Sequence, residues 1–134
     1  MKILLDTHIL LWALLDAERL SEKSRMLIAD LDNEIYYSAA SVWEIAIKHK
    51  KSPARVPFSS DQIAGFCDDA GYMCLNMTLW HAIETEGLRV KEGATVQNDP
   101  FDRMLIAQAK HENMPLLTRD GVMRYYDEPC VMFV

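Results

Sequence analysis

The chain has 134 residues, half of them apolar, and carries 14 Lys and Arg against 20 Asp and Glu for a formal net charge of −6. That length and apolar content predict one domain over residues 1–134 with a sizeable core, and the acidic balance excludes binding to nucleic acid through overall charge. The start, Met1-Lys2-Ile3-Leu4-Leu5-Asp6, turns acidic before a signal-peptide core could form, and no apolar run reaches membrane-spanning length, so a cytoplasmic protein without membrane contact is expected.

Taken in order, residues 2–5 are an apolar run without alternation, as expected of a strand buried on both faces of a parallel sheet. Asp6 follows it. Asp6 or Thr7 can cap a helix over residues 8–15 that is too apolar for a surface position, so it should be buried or pair with another chain. Ser21-Glu22-Lys23-Ser24 opens a second helix, with Met26, Leu27 and Leu31 on a helical period up to the turn at Asp32-Asn33. Ile35-Tyr36-Tyr37 is the second strand.

A third helix begins in Ser38-Ala39-Ala40-Ser41-Val42-Trp43-Glu44-Ile45, where Ser41 and Glu44 have the spacing of a capping box. Outside such a box Glu44 would be a charge among apolar neighbours and would need a partner. Lys48, His49, Lys50, Lys51 and then Arg55 concentrate cations at the end of this helix, where they serve its dipole or contact phosphates. Pro53 and Pro57 mark a loop, residues 60–70 a fourth helix closed by Gly71, and residues 72–75 a third strand. Residues 78–86 read as a helix with Leu79, Ala82 and Ile83 inward, and residues 87–98 as an irregular connection.

Asp99 is then a natural N-cap, Pro100 fits the first helical position, and Asp102 lies three residues after the cap in an otherwise apolar helix that ends at Asn113-Met114-Pro115. Residues 116–118 make a fourth strand followed by Arg119-Asp120-Gly121, residues 122–126 a short helix, and residues 130–134 a last strand. Cys67, Cys74 and Cys130 are odd in number and set in apolar surroundings, which reads as buried free thiols. His8, His49, His81 and His111 form no H-x-x-x-H pair, which leaves carboxylates as the only plentiful metal ligands.

Alternating strands and helices define an α/β domain, a parallel sheet covered on both faces by right-handed crossovers, with ligands at the carboxyl edge. Asp6 and Asp120 follow strands; Glu44, Asp99 and Asp102 occupy the first turns of helices leaving that edge. Each has a bland explanation as a cap, a dipole partner or an Asp-Gly turn, but five at one edge outweigh those explanations. Gathered carboxylates raise one another's pKa unless a cation offsets their repulsion, and oxygen-only ligation suits Mg²⁺ or Mn²⁺ acting on a phosphodiester. A haloacid-dehalogenase-like phosphatase also has an acid after its first strand, but needs a second acid two residues on, where this chain has His8.

Leu5-Asp6-Thr7-His8 with Leu10-Leu11-Trp12, the segment from Ser38 to Ile45, Asp99-Pro100-Phe101-Asp102-Arg103-Met104-Leu105-Ile106-Ala107, and Leu117-Thr118-Arg119-Asp120 together resemble the PIN domain family, specifically the VapC-type toxin ribonucleases of bacterial toxin-antitoxin pairs. The resemblance covers nearly the whole chain. It implies a three-layer α/β/α fold with a central, mainly parallel sheet. It also implies catalytic and metal-binding acids at Asp6, Glu44, Asp102 and Asp120, with Asp99 as an extra metal ligand. Mg²⁺ or Mn²⁺, an RNA substrate, a small cognate antitoxin and a homodimer complete what it implies, the homodimer also fitting the apolar segment 8–15. Lys48, Lys50, Lys51 and Arg55 are the candidate nucleic-acid contacts. This branch often carries a histidine just before the D-P-F-D-R segment, where this chain has Gln97-Asn98. Alternatives are a PIN-like DNA nuclease, since no motif reads the 2′-OH, and a catalytically silent module that binds RNA or antitoxin.

Overall fold

The structure is a computed structural model and describes residues 1–96 and 98–134; the expectation attached to Gln97 therefore lies outside the described residues. Five strands, β1 (Lys2–Leu5), β2 (Glu34–Ser38), β3 (Met73–Leu75), β4 (Leu116–Thr118) and β5 (Val131–Phe133), form one sheet in the order β3-β2-β1-β4-β5. Every pairing is parallel, with Ile3 beside Ile35, Leu5 beside Leu117, Tyr37 beside Cys74 and Leu117 beside Met132.

Six helices connect the strands: α1 (Thr7–Leu15), α2 (Glu22–Ala29), α3 (Ala39–Lys51), α4 (Ser60–Asp69), α5 (Leu79–Glu84) and α6 (Pro100–His111). Successive residues of β1 feed opposite cores. Ile3 and Leu5 join Ile9, Leu10, Ile45 and Ile63 on one face, while Leu4 joins Leu105, Ile106 and Met123 on the other. Leu116 and Leu117 divide in the same way, which is why these strands are apolar without alternation. The result is the expected three-layer α/β/α domain.

The chain runs outward from β1 to β2 and β3, then crosses back to β4 and β5 on the other side. Strand order therefore reverses between β1 and β4, which opens a crevice at their carboxyl ends. Asp6 and Asp120 follow those two strands.

Several local expectations are corrected. α2 stops at Ala29 with Asp30 as its C-cap, so Leu31 falls in the following turn, fully exposed, and Met26 also faces solvent; Leu27 and Ile28 pack inward instead. α3 starts earlier than a cap at Ser41 would require: its N-cap is Ser38, whose hydroxyl accepts the Ala40 N–H. In α5 the buried residue is His81, while Leu79, Ala82 and Ile83 are exposed. Polar bonds decide that rotation, because His81 Nδ1 accepts the Thr78 N–H in a capping box and Nε2 donates to Glu112 at 2.9 Å. Cys67 is buried and Cys130 partly so, but Cys74 is exposed on the edge strand β3. In α1, Ile9 and Leu10 are buried and residues 11–14 half-buried against the core, which covers much of the excess apolar surface. Among the described residues no helix is long and apolar enough to cross a membrane.

Candidate active site

Asp6 ends β1 and caps α1, with extended backbone as an N-cap requires. Its Oδ1 accepts the Thr7 N–H at 2.7 Å, and its Oδ2 accepts the Thr118 hydroxyl at 2.6 Å. Burial raises its pKa, against the opposing effects of the Thr118 bond, His8 and the Thr7 N–H; Asp120 pushes it up further. Thr118 lies at the end of β4, fully buried, and its oxygen also accepts the Asp120 N–H at 3.1 Å. One hydroxyl thus ties together the two acids on either side of the switch point. Nothing in the motif around Thr118 assigns it a role; its position at the strand end, two residues before an acid, is the available signal.

Asp120 Oδ1 accepts the Val122 N–H and starts the 3₁₀ turn Gly121–Tyr125, so the Asp-Gly turn expectation holds. Asp99 is the N-cap of α6, its Oδ1 accepting the Phe101 and Asp102 N–H groups at 2.8 and 3.2 Å, with Pro100 at the first helical position. Glu44 is free of any cap. Ser41, which was to share a box with it, bonds Thr7 Oγ1 at 2.8 Å in the interior and pins α3 to α1. Glu44 instead pairs with Lys48, one turn on, at 2.8 Å.

Asp102 reports how these acids are arranged. Its pKa is pushed up to about 7, by burial first and then by the charges of Asp99, Asp6, Asp120 and Glu44. Asp99, Asp6, Asp120 and Glu44 thus all lie near enough to Asp102 for their charges to act on it, although they come from the ends of β1 and β4 and from α3 and α6.

Of the predicted cations, Lys48, Lys51 and Arg55 line a groove of about 640 Å³ together with His8, Trp12 and Arg19. Arg19 lies over the Trp12 ring, 5.0 Å from its centroid. Lys50 is exposed and does not line this groove. The groove adjoins the acids through two residues, since His8 acts on Asp6 and Lys48 holds Glu44.

The sequence model of the PIN domain matches residues 3–129. This chain belongs to the PIN domain family. The fold of this PIN domain is also that of a chain in the crystal structure of VapBC2 from Rickettsia felis bound to a DNA fragment from their promoter, with a TM-score of 0.67 and 18% identity, covering 100% of this chain and 98% of that one. No curated protein sequence matches it significantly.

PIN domains are metal-dependent nucleases as a family. Among the described residues, no three His, Cys, Asp or Glu side chains are drawn together closely enough to hold an ion as they stand. Each acid has its own partner instead: Asp6 bonds Thr7 and Thr118, Asp99 and Asp120 cap the turns that follow them, and Glu44 pairs with Lys48. The donor set nevertheless fits a hard dication. It is all oxygen, and the repulsion and burial borne by Asp102 are what a dication at the centre would relieve.

Proposed function

We propose that this PIN domain is a divalent-metal-dependent endoribonuclease, the toxin of a VapBC-type toxin-antitoxin pair. The observation that carries the nuclease reading is the match to the PIN domain over residues 3–129, with Asp6 and Asp120 following the two strands at the switch point of the parallel sheet and Asp102 bearing the charge of both. Asp6, Glu44, Asp99, Asp102 and Asp120 would hold Mg²⁺ or Mn²⁺. When bound, the ion supplies charge neutralisation at the phosphodiester and a more acidic water. The chain's own part is positional. Thr118 and the Thr7 N–H fix both oxygens of Asp6, Asp99 and Asp120 are fixed by helix and turn starts, and Glu44 is held by Lys48. Lys48, Lys51 and Arg55 line the groove, where phosphates flanking the cleavage point would lie; exposed Lys50 would add a peripheral contact.

RNA as substrate, a small antitoxin as partner and a homodimer rest on the four sequence motifs, supported by a fold shared with a chain of a VapBC2 complex, and the cytoplasm is where such a substrate would be met. The deciding experiment incubates purified protein with a total RNA pool and with single-stranded DNA, with Mn²⁺ and with excess EDTA, and maps the ends. Mn²⁺-dependent internal cuts in RNA, lost in EDTA and in the Asp102→Asn variant, are expected. Cleavage undiminished by EDTA removes the metal reading, cleavage of DNA alone reassigns the substrate, and no cleavage leaves a binding module. Overexpression without the neighbouring small gene should arrest growth, and sedimentation at micromolar concentration should show a dimer.

A further inference from the structure

α3 and α6 each bring an aromatic-acid pair to the site, Trp43-Glu44 and Phe101-Asp102. The pairs meet like with like. The charge of Glu44 bears on Asp102, and the Trp43 and Phe101 rings pack edge to face with centroids 5.0 Å apart at 73°. Phe101 is partly covered by this contact, whereas Trp43 remains 55% exposed. An indole held by a second ring and open to solvent beside a carboxylate cluster is not explained by the core, because α3 anchors itself through Ile45 and Val42 on the other side.

We propose that Trp43 is a stacking platform for a nucleobase adjoining the scissile phosphate. The proposal rests on the nuclease reading and adds to it a subsite that favours single-stranded nucleic acid. Whatever covers Trp43 must lie next to the acids. A permanent protein cover there would obstruct the substrate, whereas a nucleotide meets both demands at once: its phosphate goes to the cation-requiring acids and its base to the π face. Stacking on an aromatic ring needs an unpaired base, tolerates any base, and loses its partner on truncation. The edge-to-face contact with Phe101 holds the indole in place before the base arrives, so little side-chain freedom is lost on binding. Ile47, one turn further along α3 and 45% exposed, extends the apolar strip away from the aromatic pair but offers no π face.

The test measures binding of short fluorescent single-stranded RNAs by anisotropy in an Asp102→Asn background, so that cleavage does not intervene. Trp43→Leu keeps apolar volume against Phe101 and removes the π face; Trp43→Phe keeps the π face. The Leu variant is expected to bind about tenfold or more weakly, the magnitude of one lost base stack, and the Phe variant within about threefold of the parent, with melting temperatures alike. Placing a single abasic residue at successive positions should locate one position where the parent loses affinity and the Leu variant does not. Equal binding by both variants, or no abasic position that abolishes their difference, overturns the proposal. Conversion of a dimer to a monomer by Trp43→Leu also overturns it, by assigning the ring to a second copy of the chain. If the protein with Asp102 intact neither cleaves nor binds RNA, the nuclease reading itself has failed, and that outcome is recognisable separately; cleavage by Asp102→Asn would instead remove Asp102 from the essential acids and leave the stacking test to be read in a non-cleaving variant of Asp6.

Discussion

Replacing Asp102 by Asn should stabilise the metal-free protein at neutral and higher pH. The carboxyl pKa moves from 3.8 to about 7 on folding. Between those values the folded chain keeps a proton that the unfolded chain has released, so the stability of the wild type falls as pH rises through this window and the penalty is complete above about pH 7. At 1.36 kcal/mol per unit the shift sets a ceiling of about 4 kcal/mol. Asp102 retains some contact with water, which screens the repulsion and reduces the expected gain to about 1–2 kcal/mol. For a chain of this size that is roughly 3–8 °C in melting temperature. Calorimetric melts in EDTA at low salt should show the variant and wild type together near pH 4, and the variant higher by that margin at pH 8. Adding Mn²⁺ should then raise the wild type more than the variant, because an ion that binds only the folded state stabilises it according to its affinity. A variant that melts at or below the wild type at pH 8 in EDTA would refute the claim that Asp102 sits among unrelieved carboxylates.

Glu44→Gln should abolish most cleavage at limiting Mn²⁺, while the only bond it weakens is a surface pair with Lys48, so melting should change by no more than about 0.5 kcal/mol; full cleavage would return Glu44 to a surface role. Asp99→Asn keeps an equally good N-cap on α6, so stability should be unchanged within about 0.5 kcal/mol while metal affinity drops in calorimetric titration; unchanged affinity would leave Asp99 as a cap only. Thr118→Val removes the hydroxyl bond that holds down the Asp6 pKa, so the acid limb of the pH-rate profile should move to higher pH and Thr118→Ser should restore it. Its stability cost should be about 1–3 kcal/mol for leaving the Asp6 oxygen and the Asp120 N–H without partners; a profile that does not move would make Thr118 purely structural.

The sequence by itself determined the elements whose signals are local. β1 and β4 were legible because burial on both faces leaves no polar alternation, and the start of α6 because Asp99 and Pro100 satisfy cap geometry within three residues. The positions of Asp6, Asp99, Asp102 and Asp120 were legible for the same reason, since each follows a strand or caps or opens a helix, whereas Glu44 lies a turn deeper in α3 than a cap at Ser41 would place it. Tertiary structure decided what depended on distant partners. The Ser41–Glu44 spacing satisfied a capping box, but α3 is capped by Ser38, whose hydroxyl accepts the Ala40 N–H and donates to Gln108 of α6, leaving Ser41 to Thr7 and Glu44 to Lys48. The rotation of α5 follows from the bond between His81 and Glu112, 31 residues apart, which outweighed the apolar pattern of Leu79 and Ile83. Thr118 gained its role only when β4 paired with β1 and carried its hydroxyl to Asp6, 112 residues away, a partner that its place at a strand end before Asp120 could not name.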